Sequence, residues 1–169
     1  EIGKSKAVIA KYKLQQTNPE SKIVSFSKNI NIHNLNLLKN YSIIIDTTDN
    51  WETTKIINKY CVENSISFIF SSAVAHDIQV GLFPNKIKNH TCLNCLFPNK
   101  VDADIPRCET IGISSITAGI AGLFTAQKTI NYLLNFNDES NILTLYNTFE
   151  GQIHKINIKN NKDCSLNKC

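Results

Sequence analysis

The sequence predicts an α/β fold, a mostly parallel sheet with flanking helices, on the strength of two observations. "YSIIIDTT" at 41–48 and "ISFIFSSA" at 66–73 are continuous apolar runs, the pattern of strands covered on both faces in a parallel sheet. Between them, the segment from Trp51 to Glu63 carries Ile56, Ile57, Tyr60 and Cys61 where a helix would turn them to a core, and Asp49 and Asn50 stand ready to cap its start. Strand, helix and strand of these lengths make a βαβ unit, whose crossover is right-handed.

The remaining elements follow in chain order. Residues 4–16 place Ala7, Val8, Ile9, Tyr12 and Leu14 at roughly helical spacing, and "TNPE" stops the pattern. "SKIVSFS" at 21–27 alternates like a short strand, and "NINIHNLNLLKN" is a polar connection with a weak helical turn. "HDIQVGLFP" reads as a further strand, followed by a Pro- and Asn-rich loop to about Pro106. "ISSITAGIAGLFTAQKTINYLLNF" is a long apolar helix whose small residues on one side predict a close neighbour. "NILTLYNTF" and "QIHKINIK" alternate around Glu150-Gly151 as a hairpin before the polar tail "NNKDCSLNKC".

Composition narrows the function classes. The 169 residues, 42% hydrophobic and 19% charged, suit one domain over 1–169 with its own core. No apolar run approaches the roughly 20 residues of a bilayer-spanning helix, so no membrane role is expected. The net charge of +4 comes from scattered lysines, with Arg107 the only arginine. Without a compact basic run no nucleic-acid partner is expected, and a phosphate-bearing small ligand fits the charge. The abundance of Ile, Asn and Lys suggests an A+T-rich genome such as an organelle's.

Six cysteines carry the strongest chemical signal. Cys92 and Cys95 form C-x2-C, and Cys164 and Cys169 form C-x4-C, each a spacing used for half of a structural zinc site. A polar loop and tail bury little apolar surface, and thiolate ligation would fix both in place. The ligand-spacing rules favour zinc. The alternatives are a disulfide, which needs an oxidising compartment, and a redox pair, which normally opens a helix after a strand. Cys61 lies on an apolar helical face and reads as a packed core thiol. Cys108, beside Arg107 and before the long helix, is either a thiol of lowered pKa or an inert loop cysteine.

In an open parallel sheet, ligands collect beyond the carboxyl ends of the strands, where "IIIDTTDN" presents Asp46 and Asp49. A carboxylate there can hold magnesium, and the plainer alternative for Asp49 is a helix cap. Lys6 is either a phosphate-binding ammonium or a solvated helix lysine.

Taken together, "IGKSKA", "TNPE", "IIIDTTDN", "QV", "CLNCLFP", "RCETIGI", "AGIAGLFTAQKTI" and the paired tail cysteines occur in the order found in one family. Over essentially its whole length the chain resembles the adenylyltransferases of the ubiquitin-activating superfamily, of the MoeB/ThiF type that serves molybdopterin or thiamine biosynthesis. The resemblance implies a Rossmann-like fold and an enzyme that uses ATP and Mg2+ to adenylate the C-terminal glycine of a ubiquitin-like sulfur-carrier protein, releasing pyrophosphate. It implies that Asp49, with Asn50 beside it, organises magnesium and that Lys6 contacts the ATP phosphates. It assigns Cys92, Cys95, Cys164 and Cys169 to Zn2+, and Cys108 to a sulfur linkage with the carrier. It also implies a homodimer, housed in a reducing cytoplasm or plastid stroma.

Several features depart from the family pattern. The first βαβ unit with its glycine-rich phosphate loop has no counterpart, so the chain reads as a C-terminal portion expected to show no ATP-dependent activity by itself. Thr54 stands where the family has arginine, Ala75, His76 and Ile78 replace the usual residues, and the second cysteine pair is spaced four apart rather than two. An inactive partner subunit and a zinc-stabilised binding module are the competing expectations.

Overall fold

The computed structural model describes residues 1–85, 91–98, 112–136, 139–162 and 164–166. The chain forms two compact units, Glu1–Asn31 and Ile32–Cys169.

In the first unit the expected helix forms as α1, Lys6–Thr17. It ends where the Asn18 N–H reaches back to Leu14 O at 2.9 Å. The Gln15 side-chain amide then donates to Pro19 O at 2.8 Å and to Ser21 O at 2.9 Å, tying down the turn. The strand expected at 21–27 does not form. Its side chains do alternate, with Ser21, Ile23 and Ser25 half-buried and Lys22, Val24 and Phe26 exposed. A strand also needs a ladder, and no described segment hydrogen-bonds alongside it.

The second unit contains β1 (Ile43–Asp46), α2 (Trp51–Glu63), β2 (Ser67–Val74), β3 (Asp77–Phe83), α3 (Leu93–Leu96), α4 (Ser115–Leu134), β4 (Ile142–Asn147) and β5 (Gln152–Asn157). The strands build one sheet in the order β1-β2-β3-β4-β5. The α/β class and the βαβ unit are as expected, with β1 and β2 parallel across α2. The expectation of a mostly parallel sheet is corrected, because β2-β3, β3-β4 and β4-β5 are all antiparallel. Connection length explains two of these three reversals. β2 returns into β3 through Ala75 and His76, and β4 into β5 through a turn at Gly151, while a parallel pair needs a crossover such as α2 provides.

Coverage of β1 also differs from expectation. Ile44 and Asp46 are buried, whereas Ile45 is 42% exposed on the other face. Among the described residues β1 has a single neighbour in the sheet, so it behaves as an edge strand and alternates.

The core centres on Phe68, Ile69, Ile78, Val80, Leu82 and Phe83. Helix α4 lies on the sheet through the buried Thr117, Ala121, Thr125 and Lys128, flanked by the half-buried Ile120, Phe124 and Tyr132, which pack against the same core. Its buried hydroxyls are satisfied locally, Thr125 Oγ1 lying 2.8 Å from Ser71 Oγ. On its other side Ile116, Leu123 and Ile130 are exposed, and nothing lies within 4 Å of where a Cβ on Gly119 or Gly122 would point. The neighbour predicted by those small residues is therefore not among the described residues. None of the described helices is long and apolar enough to cross a membrane.

Candidate functional site

Two clusters of chemistry meet helix α2, one at its start and one along its flank. At the start, β1 delivers Asp46 into a buried position, and its Oδ1 accepts from the Thr48 N–H at 2.9 Å. This Asx-type bond folds the strand end into a short loop. Asn50 is the N-cap, its Oδ1 accepting from the Thr53 N–H at 2.9 Å. The capping expectation thus resolves in favour of Asn50, which leaves Asp49 exposed beside the helix N-terminus. Asp46 Oδ2 is buried with no hydrogen-bond partner among the described residues. Thr54, buried, sets its Oγ1 3.3 Å from Thr48 Oγ1, so the position where the resemblance expects arginine faces inward. Lys6 is exposed at the start of α1 and belongs to the first unit.

Along the flank, the ligand sulfurs of Cys92, Cys95 and Cys164 all lie within 4.8 Å of one another. Cys92 Sγ is 3.9 Å from Cys95 Sγ and 3.6 Å from Cys164 Sγ. Both distances are far beyond the roughly 2.05 Å of a disulfide. They bracket instead the separation of about 3.8 Å between two sulfurs bound tetrahedrally to one zinc at about 2.3 Å. Cys92 and Cys164 are buried, and Val62 and Leu166 pack around them. The donor set, its spacing and its burial fit a structural zinc ion.

Local structure explains the cluster. Cys92 is the N-cap of α3, and the Cys95 N–H donates to Cys92 O at 3.0 Å. The pair therefore sits on a single helical turn, where sequence reasoning expected a loop. The Cys95 thiol is pulled down to about 5, chiefly by its hydrogen bond with Cys92 and against the effect of burial. Backbone donors at Asn161 and Cys92 and the Cys164 thiol add to the shift. The lowered pKa favours the thiolate, the form that binds metal. Cys61 behaves in the opposite way. Burial first, and the nearby Asp46 charge second, push its thiol up to about 12, as suits an inert core residue. Cys108 and Cys169 lie outside the described residues.

Sequence reasoning missed Asn58. This fully buried residue on α2 uses both ends of its amide. Its Oδ1 accepts from the Leu93 N–H and its Nδ2 donates to Asn94 Oδ1, each at 3.1 Å. The available signal was a polar residue on the same helical stripe as Trp51 and Val62, seven and four positions away. Trp51 was missed too. It packs edge-on to Phe97 at 5.7 Å and to Phe70 at 6.3 Å between ring centroids.

Comparison with known proteins bears on the whole chain. The ThiF family model matches residues 1–166. A probable molybdopterin-synthase adenylyltransferase of Gracilaria tenuistipitata var. liui is 28% identical over 165 residues, covering 95% of this chain and 46% of that protein. A sulfur carrier protein adenylyltransferase of Thermus thermophilus is 25% identical, covering 98% of this chain and 64% of that protein. The chain thus spans roughly half the length of these relatives. The crystal structure of E. coli MccB with SeMet MccA superposes with a TM-score of 0.80 at 19% identity, over 98% of this chain and 51% of that one. At that identity the likeness is one of fold.

Proposed function

The chain belongs to the ThiF family, and from that premise we propose that it forms part of an enzyme that adenylates the C-terminal glycine of a ubiquitin-like sulfur-carrier protein with ATP and Mg2+. The observation that carries this reading is the Asp49 loop. Asn50 takes over the capping of α2, so Asp49 is left as an exposed carboxylate at the sheet's carboxyl edge. There it would hold magnesium for ATP, with Asn50 beside it. Lys6 is the family's candidate for a phosphate-contacting ammonium. Adenylation requires the carrier carboxylate to be held in line with the α-phosphate and the charge on departing pyrophosphate to be neutralised.

The sulfur cluster has a separate role in this reading. Cys92, Cys95 and Cys164, with Cys169 as fourth ligand, would hold one Zn2+ that cross-links α3 to the tail, and Cys108 would form the sulfur link to the carrier. The thiolates must stay reduced to bind metal, which suits a cytoplasm or organelle stroma. The enzyme would act as a homodimer.

The test is exchange of labelled pyrophosphate into ATP by the full protein that carries this chain. Exchange should depend on the added carrier and be lost in Asp49→Ala. Exchange that persists in that variant would overturn the reading. A second reading, a non-catalytic partner subunit of the same fold, is favoured by Thr54, which puts a buried hydroxyl where the family resemblance expects arginine. It predicts that exchange appears only when a second, active subunit is supplied.

A further inference from the structure

We infer that Asn58 is a positioning residue that couples the sulfur cluster to the Asp49 loop through helix α2. The coupling rests on geometry alone, and only its consequence for catalysis rests on the function proposed above.

The argument starts with the end of α3. The first N–H groups of any helix lack intrahelical partners and need an outside acceptor. Cys92, at the N-cap, makes no side-chain cap bond, and its sulfur is turned toward Cys95 and Cys164. The Leu93 N–H is satisfied instead by Asn58 Oδ1, at 3.1 Å, from another helix. Asn94, the next residue, receives the Asn58 amide at 3.1 Å and donates its own to Ser165 Oγ at 3.0 Å, beside Cys164. Asn58 thus caps the cysteine turn from outside and joins it to the tail that carries Cys164. A buried amide is tolerated only when both its ends are paired, so α3 has one register against α2 that satisfies it.

Helix α2 then carries the constraint to the loop. Trp51, Asn58 and Val62 lie on one face, and all three touch the sulfur-bearing segments. Val62 packs on Cys92 and Cys164, Asn58 bonds α3, and Trp51 meets Phe97, which closes α3 with its N–H on Leu93 O at 2.9 Å. The helix is about 20 Å long at 1.5 Å per residue and is stiff over that length. Trp51 is its first residue and directly follows Asp49 and Asn50. Releasing the sulfurs from a metal would loosen α3, and α3 would withdraw Phe97 from Trp51 at the base of the Asp49 loop.

Trp51 is the only tryptophan in the chain, so its emission reports this contact without a label. The experiment follows the emission of the zinc-loaded protein as a chelator removes the metal, with far-UV circular dichroism of the same samples. Chelation should shift the emission to the red while the dichroism is retained. Asn58→Leu, of similar volume without hydrogen bonds, should lose most of the shift while still binding zinc. Phe97→Leu should do the same and leaves Asn58 intact, so the test survives if the first variant fails to fold. An unchanged emission on complete zinc removal overturns the inference, as does a full shift in both variants. Melting of the dichroism on chelation overturns it as well, since unfolding would then account for the shift. Pyrophosphate exchange by the full protein that carries this chain is read separately. The Trp51 response in this chain, together with no carrier-dependent exchange in the full protein, supports the coupling and overturns the proposed function.

Discussion

Replacing Glu139 with glutamine should cost more stability than any other single change to the ion triad beneath α4. Lys128 is only 4% exposed, and its Nζ donates to Glu139 Oε2 at 2.8 Å. The other carboxylate oxygen accepts from Lys155, 55% exposed, at 2.6 Å. In Glu139→Gln the buried ammonium loses its countercharge, and a buried charge so stranded costs about 3–5 kcal/mol. For a chain of this size that corresponds to a fall of roughly 6–20 °C in Tm. Lys155→Ala removes only an exposed partner and should cost about 0–1 kcal/mol. Lys128→Met removes the buried charge itself and leaves Glu139 with Lys155, so its cost should fall between the two. Urea unfolding of the three variants at pH 7 supplies the comparison. The reasoning fails if Lys155→Ala costs as much as Glu139→Gln, or if Glu139→Gln costs less than about 1 kcal/mol. The pH dependence has a definite sign. Hydrogen bonds first from Lys128 and then from Lys155 lower the Glu139 pKa below its ordinary 4.5. Its contribution is therefore full above about 4.5 and is lost as pH falls through the lower folded value.

Asn50→Ala should destabilise the protein by about 1 kcal/mol through loss of the bond to the Thr53 N–H, measured by denaturant unfolding. Asp49→Ala should leave stability almost unchanged, since Asp49 is exposed, while abolishing carrier-dependent pyrophosphate exchange. Native mass spectrometry should find one zinc per chain, and Cys164→Ser should weaken its retention against a chelator. Cys61, buried with its thiol raised to about 12, should resist alkylation at pH 8 until the chain is unfolded.

The elements most legible in the sequence are those specified by local pattern. The apolar runs around Asp46 and Phe68, the cap before Trp51 and the alternation on either side of Gly151 each name their structure within a few residues. Strand direction is not local in this sense. "HDIQVGLFP" looks alike in either orientation, and only the two-residue return at Ala75 and His76 makes β3 antiparallel. Residues 21–27 show the same gap from the other side, since alternation cannot supply a ladder partner. At the candidate site, spacing pointed to the cysteines because metal ligation restricts sequence. Asn58 and Trp51 went unnoticed because their work depends on a segment more than thirty residues away, beyond the reach of a helical pattern. Helix α4 misleads in a further way. Its hydrophobicity says that it is an interior helix but not which side faces the sheet, and the sheet takes Thr117, Thr125 and Lys128 beside Ala121, Ile120 and Phe124, while Ile116, Leu123 and Ile130 stay exposed.

Cys92 and Cys164 are 72 positions apart, and the chain between them includes α4 and the β4-β5 hairpin. During folding, Cys92 and Cys95 can take up a metal as soon as a single turn forms, because that turn is local. Cys164 can join only after β3 has paired with β4 and the hairpin has brought the tail back, a closure with a substantial entropic cost. A third sulfur on the metal therefore marks a chain whose sheet is already assembled. Ligation of a metal by all three sulfurs would come late in the order of folding, and a metal held by Cys92 and Cys95 alone would mark a chain whose sheet is not yet assembled.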